Sequence, residues 1–424
     1  MKFFINNQYF NKVKYVLRII ENYSKVSFDI VPDKSTADIV IDHKDENSIP
    51  ISNKFYDNLD SNNFNHNIIF PKEPIIKDET DRPDYISSIF YIINSLQEYK
   101  SDPEDEDELG RFLYEKSWQK KYNVIERNLV LEYIFEFLNF IKVEKKNDFN
   151  SKIFVSHDID KMNGSFLQDG FWALKKGRFD IVLSLIFKEI FNKKDWVNID
   201  KILKIESEYD IKSTFFWLVN KGIGKDNIKN ADYSIKRYSA LLENIENKGA
   251  YNGLHKSCSD QSIDEELSLL PKATTYNRHH YLNFKLPALY DDIENSKINF
   301  DSGLGFVEHY GFRNSFAMPF HPFNLQEDKP YSFVEMPLMM MDGTFQEFML
   351  LPVSTSADTA IAFFEKHKTN SYLSLLWHNT FFTNYKYGGY REEFIKIIKY
   401  LYDTNFEFVT PEDLMKAALP KSIN

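Results

Sequence analysis

The sequence predicts an α/β protein in which a distorted (β/α) barrel follows a small α/β domain. Short apolar runs alternate with segments whose apolar residues recur every three or four positions, which indicates strands alternating with helices. A polar stretch, VEKKNDFN at residues 143–150, interrupts the pattern. After this stretch, polar side chains stand at the carboxyl end of one predicted strand after another, as in a parallel sheet or barrel. We therefore expect an N-terminal α/β domain over residues 1–146 and a barrel over residues 151–424.

The first domain contains four predicted strands and three predicted helices. The predicted strands are KFFIN, VSFDIV, ADIVID and NIIF. The predicted helices are NKVKYVLRIIENY, DYISSIFYIINSLQEY and ERNLVLEYIFEFLNFIK, the last at residues 126–142. The acidic stretch KSDPEDEDELG lies between the second and third helices and is typical of a solvated loop.

The second domain continues the alternation with longer connections. The predicted strands are KIFVSH, STFFWLV, AYNGLH, TYNRHHYL, INFDSGLGF, YLSLLWHN and EFVT. Residues 172–209 are predicted to be mostly helical, and further helices are predicted at SIKRYSALLENIENKG, DEELSLLP, LPALYDDIENS, REEFIKIIKYLYD and PEDLMKAAL. Pro411 is well placed to open the last of these, because proline is favoured at the first helical position.

The composition excludes several classes of function. The net charge is −11 and no basic cluster stands out, which argues against nucleic acid as the main partner. A single cysteine excludes an intrachain disulfide. The N-terminus lacks the apolar region of a signal peptide, and no segment approaches the ~20 apolar residues of a spanning helix. We therefore expect a cytoplasmic protein without a transmembrane segment.

Side chains with catalytic or metal-binding chemistry follow the predicted strands of the barrel. The carboxyl ends of barrel strands meet at one opening, so residues distant in sequence converge there. We therefore expect one cleft lined by carboxylates, imidazoles and a guanidinium. The residues at these strand ends are Asp158, Asp160, His255, Arg278, His279, His280, Asp301 and His378.

The order of these motifs resembles that of the NodB-type polysaccharide deacetylases, carbohydrate esterase family four. The resemblance is closest to a bacterial branch with an extra N-terminal α/β domain. The motifs that carry it are SHDID, GLHKSCS, RHHY, NFDSGLGF and LLWHN, in that order along the chain. It covers roughly residues 151–415, and more weakly residues 1–140.

The resemblance implies a role for each motif. Asp158 would be the catalytic base and Asp160 a metal ligand, with His255 as a second ligand. Arg278 would pair with the base, and the backbone N–H of Tyr281 would occupy the oxyanion-donor position. His378 would assist as general acid. One divalent metal ion, zinc above all, is the implied cofactor.

Two positions depart from the family pattern. Ser259 stands where a second metal-binding histidine would fall, and Lys256 replaces a usual proline. The third ligand is therefore open, with His280 on the neighbouring strand as the favoured candidate and Cys258 as another. In an extended strand His279 and His280 would point to opposite faces, so at most one would face the cleft.

Three other features admit more than one interpretation. His157, beside the two aspartates, is interpreted as a structural residue. Arg313 lies in a Phe- and Pro-rich segment, EHYGFRNSFAMPFHPF, which would be a substrate-side loop, packed core or a lid. The stretch MMMDG at residues 339–343 is interpreted as core strand and turn.

These observations lead to one main hypothesis for the function and two alternatives. The main hypothesis is a metal-dependent hydrolase that removes N-acetyl groups from an amino sugar of a polysaccharide or its precursor. One alternative is a degenerate, non-catalytic barrel that binds a glycan or a partner. The other is a hydrolase of a different C–N bond on the same fold.

Overall fold

The computed structural model describes residues 1–5, 9–42, 48–144, 148–163, 167, 169–191, 196–384 and 386–420. The N-terminal part is built on a small parallel sheet of order β2-β1-β3, packed beside helices. Its elements are β1 Lys2–Ile5, α1 Phe10–Ser24, β2 Asp29–Ile30, β3 Ile39–Ile41, α2 Asn53–Asp60, α3 His66–Ile69, β4 Ile76–Lys77, β5 Pro83–Asp84, α4 Tyr85–Ile93, α5 Trp118–Lys121 and α6 Leu129–Phe140.

The second part is a parallel sheet whose strands are separated by helices. Its strands are β6 Lys152–Ile159, β7 Thr214–Trp217, β8 Tyr251–Lys256, β9 Tyr276–His279, β10 Phe300–Asp301, β11 Phe323–Asn324, β12 Lys329–Pro330, β13 Val334–Glu335, β14 Tyr372–Leu376 and β15 Glu407–Phe408. Its helices are α7 Gly170–Lys175, α8 Phe179–Ile190, α9 Ile199–Ser207, α10 Ser239–Asn247, α11 Ile263–Leu267, α12 Ala288–Glu294, α13 Ser356–Lys366, α14 Tyr390–Asp403 and α15 Pro411–Ala417.

The main sheet curls until its two ends approach each other. The strand order is β13-β10-β9-β8-β7-β6-β14, all parallel, with β15 also paired to β6. The chain that continues from β13 forms a parallel bridge between Met341 and Leu376 of β14. The predicted fold class, a distorted (β/α) barrel after a small α/β unit, is confirmed.

One predicted element of the first part is wrong. NIIF was expected to be a strand, but His66–Ile69 form the short helix α3. The side chain of Asn65 caps this helix by accepting a hydrogen bond from the backbone N–H of Asn67 at 2.8 Å. A local cap therefore decides the conformation of a short apolar run that has no strand partner.

The two parts share a continuous hydrophobic core and several polar contacts. Asn314 Nδ2 donates to the carbonyl of Ile93, and Tyr15 donates to the carbonyl of His321. The division into domains at residues 146 and 151 stays a prediction. No helix of the described residues is both long enough and apolar enough to cross a membrane.

Candidate active site and metal centre

A cavity of about 300 Å³ lies at the carboxyl edge of the barrel strands. Strands β6, β8 and β9 end at it, and so does the loop after β14. The cavity brings together most of the predicted site residues. Those that line it are Asp158, Asp160, His255, His280, Tyr281 and His378.

The alternation of side chains along β6 separates the cavity residues from a structural histidine. Asp158 and Asp160 line the cavity. His157 points to the other side of the sheet, where Nδ1 lies 2.6 Å from the carbonyl of Trp377 and Nε2 lies 2.9 Å from Glu206. This environment fits the interpretation of His157 as a structural residue.

Arg278 lies beneath the cavity and holds one oxygen of Asp158. Its guanidinium donates to Asp158 Oδ1 at 2.8 Å and to Ser156 Oγ at 2.9 Å. The guanidinium is buried and packs over the ring of Phe216. The other carboxylate oxygen, Oδ2, faces His255 Nε2 at 3.6 Å. Asp158 therefore keeps one oxygen directed towards the imidazole cluster.

Asp160, His255 and His280 form a group that could hold a metal ion. One ligand atom from each lies within 4.8 Å of the others. His255 Nδ1 donates to the carbonyl of Arg278 at 2.9 Å, which leaves Nε2 as the lone-pair nitrogen facing Asp160. Asp160 Oδ1 and His280 Nδ1 are buried with no hydrogen-bond partner among the described residues. This chemistry fits a divalent cation bound by one carboxylate and two imidazoles.

The electrostatics of the three residues favour a charged carboxylate. Burial opposes ionisation of Asp160, but the imidazoles of His280, His255 and His378 hold its pKa well below its usual range. Burial also lowers the pKa of His255, yet the carboxylates of Asp158 and Asp160 outweigh it and raise that pKa. Burial is the stronger effect at His280 and lowers its pKa. Asp160 is therefore the anionic centre of the cluster.

His378 lies opposite these residues and is oriented by Asp342. Its Nδ1 donates to Asp342 Oδ1 at 2.6 Å, and its backbone N–H donates to Asp342 Oδ2 at 2.7 Å. Its Nε2 lies 3.7 Å from Asp160 Oδ2. Burial lowers the pKa of His378, but Asp342 more than offsets this and raises it to about 10. The imidazolium is therefore the form present at neutral pH.

Sequence reasoning missed Asp342, which it placed in a core turn. The methionines before it are core residues, but Asp342 itself is fully buried beside His378. The signal was present, because Asp342 follows an apolar run as Asp158 and Asp160 do. The parallel bridge between Met341 and Leu376 sets it beside the end of β14.

The two substituted positions form a separate network that points away from the metal group. Lys256 Nζ donates to Glu266 Oε1 at 2.8 Å, and Ser259 Oγ donates to the same oxygen at 2.7 Å. Cys258 contacts Asn283 and the carbonyl of His280, outside the metal group. The charge of Lys256 is thus paired with that of Glu266. The third candidate metal ligand is His280 and not a side chain at position 259.

The end of β9 differs from the prediction. The strand stops at His279, and His280 begins a short 3₁₀ turn in which Tyr281 has a left-handed backbone with φ 59°. Strand alternation therefore does not separate the two histidines, and both line the cavity. His279 is half-buried near Lys256 and His255, and desolvation above all lowers its pKa to about 3. The imidazole of His279 is therefore neutral at pH 7.

The N-terminal part also reaches the cavity. Leu109 and Arg111 are among the lining residues. Arg111 Nη1 donates to the carbonyl of Tyr281 at 2.8 Å, while the same side chain pairs with Asp107 at 2.6 Å. Asp107, in the acidic stretch that the sequence predicts to be a solvated loop, therefore helps to hold Arg111 against the turn that carries Tyr281.

Arg313 does not line the cavity, which corrects its assignment to substrate contact. Its guanidinium is buried and forms a two-point ion pair with Glu98, at 2.9 and 2.6 Å. It packs over the rings of Phe284 and Phe306. Of the three interpretations of its segment, packed core at the contact between the two parts is the one that the structure supports.

The chain matches one family model over part of its length and is similar to solved structures at low identity. Residues 1–146 match the model of a family of unknown function, DUF7033. No curated protein matches the chain. The chain is similar to three solved structures that carry different functional names. One is peptidoglycan deacetylase PdaC from Bacillus subtilis, with 12% identity and a TM-score of 0.30 over 63% of this chain and 91% of that chain. Another is the carbohydrate esterase family four pseudoenzyme BA3943 from Bacillus anthracis, with 10% identity and a TM-score of 0.32 over 63% of this chain and 66% of that chain. A further one is 4-alpha-glucanotransferase from Thermococcus litoralis, with 9% identity and a TM-score of 0.37 over 63% of this chain and 40% of that chain.

Proposed function

We propose that the protein is a metal-dependent hydrolase that removes N-acetyl groups from an amino sugar of a polysaccharide or its precursor. One observation carries the proposal. A single cavity contains a carboxylate held by an arginine, a three-residue metal group and a histidine held by a buried aspartate. Amide hydrolysis needs a base, a stabilised oxyanion and an acid, and this arrangement offers all three.

Asp160, His255 and His280 would hold the ion, zinc being the best match to a carboxylate with two imidazoles. When bound, a divalent cation lowers the pKa of water and polarises an acyl oxygen. Asp158 would accept a proton at Oδ2, the oxygen that Arg278 leaves unbound. The guanidinium would hold Asp158 in position, with Oδ2 directed towards the imidazole cluster.

His378 would donate a proton from Nε2 to the departing amine. Asp342 fixes Nδ1 as the other donor and so directs Nε2 into the cavity. The backbone N–H of Tyr281 would donate to the acyl oxygen, and Arg111 would hold the carbonyl of the same residue in place. The products would be acetate and a free amino sugar.

Acetate release from N-acetylated sugar oligomers tests the proposal. The protein should release acetate when loaded with zinc and lose this activity after chelation. Cyclic imides and ureides, offered in parallel, test the alternative of another C–N bond. Hydrolysis of these and not of the acetylated sugars would assign the site to that reaction.

A non-catalytic glycan-binding barrel remains the second candidate, because Ser259 replaces an expected ligand. This candidate needs neither the ion nor a base. It therefore predicts that glycan binding persists without metal and that acetate release is absent with every metal tried.

A further inference from the structure

Exposed apolar side chains are concentrated on α7 and α8, together with Leu167. The described residues include seventeen exposed large hydrophobic side chains, and nine of them fall within residues 167–191. Contiguous apolar patches of this kind are uncommon on soluble proteins and mark sites of interaction. The nine residues, called here the apolar hairpin face, are Leu167, Phe171, Leu174, Phe179, Leu183, Ile186, Phe187, Ile190 and Phe191.

The hairpin has separate inner and outer apolar faces. Ala173, Ile181 and Leu185 form a small cluster between the two helices. The exposed residues of α8 and its end follow helical spacing from Phe179 to Phe191, so they form one stripe on the opposite side. Burial of the inner cluster already satisfies the packing of the two helices against each other. Among the described residues, the outer stripe therefore takes no part in this packing.

The charge around this face differs from that of the whole protein. Residues 167–191 contain four Lys or Arg and three Asp or Glu, a formal charge of +1, against −11 for the chain. Lys175 and Lys176 are exposed at the end of α7. An apolar stripe with lysines beside it is the pattern of a helix that lies in the interface of an anionic bilayer. A hydrophobic partner protein would not require this local reversal of charge.

The hairpin rises from the edge of the barrel that carries the candidate active site. Its first helix, α7, begins at Gly170, ten residues after Asp160. At its base Trp196 Nε1 donates to Asp169 Oδ2 at 2.7 Å. Asn379, next to His378, donates to the carbonyls of Lys161 and Trp196. The apolar hairpin face and the cavity are therefore fixed to the same set of loops.

We propose that the apolar hairpin face docks this protein on an anionic lipid bilayer surface. Docking would be interfacial, because α8 has 12 residues and spanning requires about 20. It would bring the cavity close to the lipid headgroups. The corresponding substrate class is an N-acetylated saccharide attached to a lipid. This substrate assignment rests on the proposed function, whereas docking on the bilayer is independent of it.

Vesicle flotation of the full-length protein tests the proposal. The probes are vesicles of phosphatidylcholine alone and with about a quarter phosphatidylglycerol. The wild type should float with the anionic vesicles, and more weakly with the neutral ones. The double variant Leu183→Glu, Phe187→Glu should bind at least about tenfold more weakly, since burying one such side chain is worth about tenfold or more. The matched control is Phe140→Glu, Ile223→Glu, whose side chains are 51% and 70% exposed outside the hairpin.

The lysines provide a second, milder test. Lys175→Ala, Lys176→Ala should weaken binding to anionic vesicles severalfold, and the difference should vanish in about 1 M salt because the charges are then screened. These residues lie outside the cavity, so the variants should keep their metal content.

Three results would overturn the proposal. The first is a wild type that binds neither kind of vesicle. The second is a control pair that loses binding as the hairpin pair does. The third is a hairpin pair that changes only self-association in sedimentation. The last result would assign the face to a second copy of the chain. Flotation of Asp160→Ala separates the two proposals, because docking predicts full binding by this variant whether or not acetate is ever released.

Discussion

Asp158, in β6, and Asp160, the first residue after this strand, have different neighbours. Asp158 contacts a guanidinium, whereas Asp160 contacts imidazoles. A carboxylate held by arginine is fixed in position, which suits a base. A carboxylate among imidazoles suits a metal ligand. The difference between the two aspartates is thus set by the side chains that β8, β9 and the turn after β9 bring to each carboxylate.

Replacement of Asp158 by Asn should separate catalysis from metal binding. Acetate release should fall by about 10²–10⁴-fold, the usual contribution of an acid–base group, while zinc content stays unchanged. Metal analysis and an acetate assay on the same preparation measure both. Ser156→Ala is the matched control, because it removes a neighbouring contact of Arg278 and leaves the carboxylate. Loss of the metal in Asp158→Asn would contradict the assigned role.

Asp342→Asn tests the orientation of His378. The amide cannot accept at both positions that the carboxylate occupies, so the imidazole should lose its fixed direction. We expect kcat to fall on the order of 10²-fold with little change in metal content, because orientation carries part of the rate. An unchanged kcat would exclude His378 as the proton donor in this geometry.

At the scale of elements, two buried carboxyl groups lie side by side on β10 and β13. Asp301 accepts from Asn277 at 2.6 Å, and Glu335 accepts from the N–H of Leu304 at 3.2 Å. Burial, more than any other cause, raises the pKa of Asp301 to about 6 and that of Glu335 well above its usual range. The folded protein therefore binds protons here that the unfolded chain releases.

This pair predicts that stability falls as pH rises. Because the folded pKa values exceed the unfolded ones, the contribution is full below about pH 4 and is lost as pH rises through about 6 and beyond. Glu335→Gln should reduce the difference in unfolding free energy between pH 5 and pH 8, measured by denaturant titration. Glu327→Gln, at an exposed site, is the control. An unchanged pH dependence in Glu335→Gln would mean that the pair does not share a proton.

The sequence alone was sufficient to predict most helices and strands, and to predict that the ends of the barrel strands converge on one cleft. Hydrophobic periodicity identifies strands such as β6 and β8, and barrel geometry then places Asp158, Asp160 and His255 together. Sequence patterns do not predict the position of a side chain where contacts between distant segments decide it. Asp342 follows an apolar run, but its contact with His378 depends on a bridge between distant segments, and Arg111 reaches Tyr281 from the other part of the chain.

At the scale of the whole molecule, the Glu98–Arg313 pair joins the two parts of the chain. Both side chains are buried, so removal of one partner leaves a buried charge without compensation. Glu98→Leu should lower the unfolding free energy by about 3–5 kcal/mol. The double variant Glu98→Leu, Arg313→Met should recover much of this loss. Equal stability of the single and double variants would show that the pair is not coupled.

The central claim is that Asp160, His255 and His280 bind one metal ion that the reaction requires. Metal analysis of chelator-treated and zinc-reloaded protein, with acetate release assayed on both, tests it most directly. We predict about one zinc per chain after reloading, recovery of acetate release with it, and loss of both in Asp160→Ala. Acetate release that persists in the metal-free protein, or zinc retained at full stoichiometry by Asp160→Ala, would contradict the claim.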